Sequence, residues 1–201
     1  MGTVLYIKSN MKPENESKTY KMSDCFIEEY KKNNQDDQII TLDLYKENID
    51  FLHYEDLGVV FGPKNEESKN HPILKYAYQF LNADKFVVAA PLWNLGVPAI
   101  LKAYIDYICV TGITFKYTEN GPVGLCNGKK ALFVASRGGD YSNSGAAEYE
   151  MGERYMRTIF GFLGITDFTS VHAENVDVQG IDVDKILNES CNRAIELAKT
   201  F

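Results

Sequence analysis

The sequence predicts an α/β protein: a doubly wound, five-stranded parallel sheet of order 2-1-3-4-5, helices on both faces, in one domain over residues 1–201. Three observations predict it. Apolar runs of strand length alternate with longer segments of helical period, the pattern of parallel strands joined by crossover helices. The run Phe86-Val87-Val88-Ala89-Ala90 has no polar alternation, as expected of a strand covered on both faces. No internal repeat or linker divides the 201 residues, a length that one core can serve.

Thr3 to Lys8 reads as the first strand through Val4, Leu5, Tyr6 and Ile7. A polar loop containing Pro13 leads to Ser17. A helix is predicted from Lys18 to Lys32, where Met22, Cys25, Phe26 and Tyr30 fall at helical spacing and Asn33 and Asn34 supply a stop. Gln38 to Leu44 gives a second strand. Tyr45 to Asn70 is mixed and polar, with Gly58, Gly62 and Pro63, and reads either as a functional excursion or as short helical pieces. His71 to Leu81 resumes helical period. Phe86 to Ala90 then enters the turn Pro91-Leu92-Trp93-Asn94-Leu95-Gly96, and Pro98 opens a helix at its first position, where a missing N–H costs no hydrogen bond. The stripe Ile100, Leu101, Tyr104, Ile105, Ile108 and Cys109 reads as core or subunit interface. Thr111 to Gly124 is a second excursion, in which Asn120-Gly121-Pro122 predicts a hairpin or extended arm. Lys130 to Ser136 is another buried strand, ended by Arg137-Gly138-Gly139. A long helix is predicted over Gly145 to Phe162, with Glu153 and Arg157 as an i,i+4 pair. Asp167 to His172 gives the last strand, and Val183 through Ala198 marks a terminal helix.

Composition removes several classes of function. A net charge of −7 argues against nucleic acid and against an anionic membrane surface, both of which need clustered Lys and Arg. No apolar run approaches the roughly 20 residues of a membrane span. The chain starts directly on a strand-like segment without a small-residue cleavage site, so a cytoplasmic protein is expected. Cys25, Cys109, Cys126 and Cys191 are widely spaced and read as buried reduced thiols, and His53, His71 and His172 show no metal-ligand spacing. G-x-G-x-x-G, the phosphate-loop motif and G-x-S-x-G are all absent.

In a sheet of this order, ligands bind beyond the strand carboxyl ends at the switch between the first and third strands. Three loops meet there. Ser17-Lys18-Thr19 offers hydroxyls, a cation and free N–H groups at a helix start, although Ser17 also reads as an ordinary cap and Glu14 and Glu16 are awkward beside an anion. Leu92-Trp93-Asn94-Leu95 can lay an apolar wall along a flat ring, or simply cap the sheet. Ser136-Arg137-Gly138-Gly139 lets backbone N–H groups approach a ligand, or is a plain turn. Planar walls without an evident nucleophile suit a cofactor that brings its own chemistry.

Lys8-Ser9, the run Ala89-Ala90-Pro91-Leu92-Trp93-Asn94, the stretch Thr114 to Pro122, Ser136-Arg137-Gly138-Gly139 and Gly161 to Asp167 together resemble the FMN-dependent NADH azoreductase/quinone reductase family. The likeness covers nearly the whole chain, in order. It implies a flavodoxin-like homodimer with one FMN per subunit near the interface. Ser17, Lys18 and Thr19 match the family's phosphate loop, and Asn10 its earlier polar contact. Leu92, Trp93, Asn94 and Leu95 match the stretch along the isoalloxazine, and Ser136, Arg137, Gly138 and Gly139 the loop at its pyrimidine end. Tyr117 and Phe162 fall where aromatic residues shape the substrate pocket. Leu92 and Leu95 depart from the frequent Met and Phe, and the phosphate loop is acidic with a one-residue insertion. The implied activity is ping-pong, two-electron reduction of quinones and azo compounds by NADH or NADPH, with no side chain acting as a strong acid or base. A flavodoxin-type electron carrier without a small substrate is the alternative.

Overall fold

The computed structural model describes residues 1–143 and 145–201. Its sheet comprises β1 (Thr3–Lys8), β2 (Gln38–Asp43), β3 (Lys85–Ala89), β6 (Lys130–Ser136) and β7 (Asp167–Ala173), in the order β2-β1-β3-β6-β7 with every pair parallel. A separate antiparallel hairpin, β4 (Phe115–Thr118) and β5 (Gly121–Gly124), is the arm that Asn120-Gly121-Pro122 foretells. The predicted order therefore holds among the five sheet strands.

The period-2 alternation of a strand assigns successive side chains to opposite layers. Leu5, Ile7, Phe86, Val88, Ala131 and Phe133 face one layer, packed on α3 (Leu74–Asn82), α4 (Ala99–Ile108) and α5 (Gly152–Phe162). Val4, Tyr6, Val87, Ala89, Leu132 and Val134 face the other, packed on α1 (Lys18–Asn33) and α6 (Val183–Ala198). The first layer is keyed by aromatic rings. Phe80 stacks on Phe86 at 4.1 Å between centroids, and Phe160 meets both edge-on at 5.5 and 5.7 Å.

Three boundaries differ from expectation. Pro98 caps α4 instead of opening it: its ψ of 144° is extended, and its carbonyl accepts from Leu101 N–H at 2.9 Å. Helix α3 begins at Leu74, not His71, because Pro72 excludes the helical region for the residue before it and His71 has ψ 135°. The helix predicted from Gly145 begins only at Gly152, after a single 3₁₀ turn at Ala147–Tyr149. There Glu150 turns its carboxylate back to accept Glu153 N–H at 2.9 Å, a cap that fixes the start. Between β2 and α3 the polar excursion consists of short pieces: a 3₁₀ turn (Tyr54–Asp56), α2 (Leu57–Val60) and a second 3₁₀ turn (Glu67–Asn70). At the end of the hairpin, a Cβ on Gly124 would lie 2.1 Å from the Leu163 carbonyl carbon, so only glycine lets the arm press against the end of α5.

Phe86 is the ring between Phe80 and Phe160 and is fully buried. Phe86→Ala is expected to cost about 3–5 kcal/mol in urea unfolding, with an unchanged dependence on denaturant concentration.

Candidate functional site

Carboxyl ends of β1, β3 and β6 stop at one level, and the loops that follow them meet. The first loop is braced from inside. Asn10 N–H donates to Tyr20 Oη at 2.7 Å, and the Tyr20 hydroxyl returns a bond to the Asn10 carbonyl at 2.8 Å. Asn10 Nδ2 donates to Ser17 Oγ at 2.9 Å, and Ser17 caps α1 by accepting Tyr20 N–H at 3.1 Å. The Thr19 and Ser136 hydroxyls lie 2.7 Å apart, joining α1 to the end of β6. Lys18 Nζ reaches across to the Val176 carbonyl at 2.5 Å and to Asp177 at 2.9 Å.

The acidic loop has a partner. Buried Lys8 pairs with Glu14 at 2.6 Å and sits 4.3 Å from the centre of the Tyr20 ring. Its ammonium holds the Glu14 carboxyl below its ordinary range. At the third loop, Trp93 and Gly96 exchange two backbone hydrogen bonds of 2.9 Å around Asn94 and Leu95, both at positive φ (47° and 68°). This two-residue turn with both centres left-handed is a type I′ turn.

A crevice of about 70 Å³ at this junction is lined by the expected residues Asn10, Lys18, Leu92, Trp93, Ser136 and Gly138. Ser17 and Thr19 are buried and do not line it, but each hydrogen-bonds to a lining residue, Asn10 and Ser136 respectively. Lys12, Pro91, Val176 and Asp177 also line it, and sequence reasoning did not single them out. The loop after β7 could have been found, because it too leaves the carboxyl end of a sheet strand. Asn94 and Leu95 are exposed on the turn and Gly139 adjoins Gly138, but none of the three lines the crevice. Tyr117 and Phe162 come together elsewhere, on either side of Phe115 at 5.5 and 4.8 Å, and do not line it either.

Arg137 differs from its neighbours. Its guanidinium turns away from the crevice into a cluster of carboxylates, at 3.0 Å from Glu174, 3.2 Å from Glu153 and 3.3 Å from Glu150. The His172 imidazole, 2.9 Å away, together with Arg157 and the Ser170 hydroxyl, holds Glu153 far below the usual carboxylate range. Burial moves thiols the other way, to about 11 at Cys126 and about 12 at Cys109, which suits structural cysteines and not nucleophiles.

The polar groups left open at and beside the crevice suit an anionic ligand. Among the described residues, Lys18 and Thr19 N–H at the start of α1 meet no protein acceptor, and the first turn of that sixteen-residue helix carries no acidic side chain. Gly138 and Gly139 N–H likewise donate to no described residue. A larger groove of about 960 Å³ runs along the outer edge of β7, but its strand carbonyls at Phe168 and His172 already accept from Arg157 and Arg193.

Fold and strand-end crevice define a flavodoxin-like protein, and the model of the flavodoxin-like fold family matches residues 2–197. The chain is 63% identical to an FMN-dependent NADH:quinone oxidoreductase of Clostridium perfringens over 201 residues, covering all of both chains. It is equally similar, over the same length, to one of Clostridium beijerinckii. Among solved structures it superposes on an azoreductase from Bacillus anthracis (TM-score 0.90, 36% identity, all of both chains). It also superposes on an FMN-dependent NADH-azoreductase of the same species in complex with FMN (TM-score 0.88, 28% identity, 98% of each chain). The chain belongs to the FMN-dependent NADH:quinone oxidoreductase and azoreductase family.

Glu153 supplies a pH test. A carboxyl held below its ordinary 4.5 stabilises the fold fully above that value and loses the contribution as pH falls toward its folded pKa. Glu153→Gln is therefore expected to lower stability at pH 7 by roughly 3 kcal/mol. The gap to the parent protein should narrow steadily as unfolding is repeated from pH 5 downward.

Proposed function

We infer that the protein is an FMN-dependent NADH:quinone oxidoreductase that also reduces aromatic azo compounds. The observation that carries this is the 63% identity to an enzyme of that name across the whole chain, joined to a crevice whose open donors suit a flavin phosphate and ring. FMN, when bound, supplies the redox chemistry, taking a hydride from the nicotinamide and passing two electrons to the acceptor.

The chain's own part is binding and orientation. The N–H groups of Lys18 and Thr19, the Ser17 and Thr19 hydroxyls and the Asn10 amide hold the phosphate end, with Lys12 and Lys18 offsetting its charge. Lys18 exchanges Asp177 for phosphate or keeps both. Leu92 to Leu95 form the wall against the ring system, Trp93 giving the flat apolar face and Asn94 an amide. Gly138 and Gly139 would offer backbone N–H groups to the pyrimidine edge, where charge gathers on reduction. Ser136 and Arg137 hold that loop in place. The crevice alone is far too small for a whole flavin nucleotide, so the ring system would extend beyond it along Leu92 and Trp93.

Homodimerisation completes the reading. Phe51, Tyr54, Leu57 and Phe61 are exposed on the excursion after β2, and Tyr117, Val123 and Phe162 near the hairpin. Apolar exposure on this scale calls for a partner surface, and Tyr117 and Phe162 on it would contribute aromatic walls to a substrate pocket. Either NADH or NADPH serves as donor. Four free cysteines and a nicotinamide donor are in keeping with the cytoplasm.

Purified protein should be yellow or become so with added FMN, and should oxidise NADH when a quinone or azo dye is supplied without air. Failure to take up FMN overturns the reading. FMN uptake without NADH oxidation makes the protein an electron carrier instead. Trp93→Ala should weaken FMN or acceptor binding by about tenfold while leaving the melting temperature within a few degrees.

A further inference from the structure

The SRGG stretch at the end of β6 contains a charge with no obvious duty toward a ligand. Arg137 is 2% exposed and points away from the crevice that its neighbours Ser136 and Gly138 line. One carboxylate would neutralise a buried arginine, yet three converge on this one. A hydrophobic residue of similar volume often stabilises a fold as well as a buried ion pair does. What a guanidinium adds is a rigid planar fork that fixes directions.

The carboxylates come from two stretches beside the crevice, Glu150 and Glu153 from the start of α5 and Glu174 from the loop after β7. Glu174 also accepts Tyr141 N–H at 3.1 Å, and the residues after it are stitched to the glycine loop: Asn175 N–H to the Gly139 carbonyl, Val176 N–H to that of Arg137 and Asp177 N–H to that of Gly138, each 3.2 Å. Glu150 caps α5, and its neighbour Met151 donates to the Leu95 carbonyl at 2.9 Å, tying down the tryptophan turn. Gly152 packs so closely on Leu92 that a Cβ there would lie 3.0 Å from Leu92 Cδ1. Glu153 is held to β7 by His172 and Ser170.

We propose that Arg137 is the positioning residue of the flavin-ring end of the site. Its three carboxylates fix the glycine loop at 138–139, the turn at 92–95 and the loop at 174–177 against one another. The ring is thereby met by donors already in place. This rests on the FMN reading and deepens it: Arg137 acts from behind the loop and touches no part of the cofactor with its side chain.

The test uses Glu174→Gln, Arg137→Lys and Arg137→Met in the full chain, with three measurements: FMN and riboflavin affinity by fluorescence titration, the midpoint potential of bound FMN, and amide hydrogen exchange of the flavin-free protein. Each variant is expected to weaken FMN and riboflavin by the same factor, about tenfold or more, because the loss is at the ring end shared by both. The midpoint potential should move to more negative values as the Gly138 and Gly139 donors lose their aim. Exchange should quicken at Asn175, Val176, Asp177 and Met151 and stay unchanged in α4. Lysine should do better than methionine, which leaves three carboxylates facing no cation. Should methionine prevent folding, Glu174→Gln and Arg137→Lys decide the matter. Melting temperature falling with flavin affinity and potential unchanged would overturn the proposal, as would a loss confined to FMN. If the parent protein takes up neither flavin, the functional reading fails, and the exchange measurement still decides whether Arg137 fixes these loops.

Discussion

Burial of the sheet on both faces is the constraint on which the rest depends. A parallel strand enclosed by two helical layers can expose its backbone only at its ends. The loops that can meet a ligand at the strand ends gather at the carboxyl edge, where β1, β3 and β6 terminate together. The two-layer core gives that edge its rigidity. Phe80, Phe86 and Phe160 lock α3 and α5 to β3 on one face, while Tyr20, Phe26 and Tyr30 of α1 pack on the other. Tyr20 serves both layers of organisation at once, with its ring in the core and its hydroxyl closing the first loop onto Asn10.

What could be read from the residues follows from the same constraint. A strand covered twice is a plain apolar run, and so all five sheet strands were legible to within two residues at either end. The switch-point loops followed from the strand order, and six of the residues expected there line one crevice. Information that depends on contacts across the chain was not legible. Glu14 beside a phosphate loop looks forbidding until Lys8, six residues earlier and at the end of a strand, is found paired with it. Pro98 sits one place before its helix because its neighbours' N–H groups need its carbonyl more than the helix needs its ring. Val176 and Asp177 had no motif to mark them, only the geometry that brings the fifth strand's loop over Gly138.

Arg137 illustrates how far residue type and residue role can part. In sequence it stands in the middle of Ser136 to Gly139, which the resemblance puts at the pyrimidine end of the flavin. In the fold the strand's alternation decides otherwise. Ser136 turns toward Thr19 and the crevice, and the next side chain therefore turns the opposite way, toward α5 and β7. Once there, a permanently charged group in a low dielectric must be matched, and unmatched burial would cost several kcal/mol. Glu150 and Glu153 at the start of α5 and Glu174 after β7 match it, and Arg157 offsets part of the excess negative charge at Glu153.

The tryptophan turn shows where the fold stores strain and why it can. Asn94 tolerates the left-handed region, but Leu95 at φ 68° does not, at a cost of roughly 1–2 kcal/mol for a residue with a Cβ. Glycine, available one position later as Gly96, would remove that cost. The turn persists because it is over-determined: two hydrogen bonds close it between Trp93 and Gly96, and the Leu95 carbonyl is held by Met151 at the start of α5. A left-handed pair gives the tight reversal that keeps Trp93 at the crevice while Leu92 stays wedged against Gly152. Relaxing Leu95 would release a hydrogen bond that ties this turn to the segment of Glu150 and, through it, to Arg137. Strain at the wall of the site and burial of charge behind it are thus two ends of one brace, each tolerable because the other is in place.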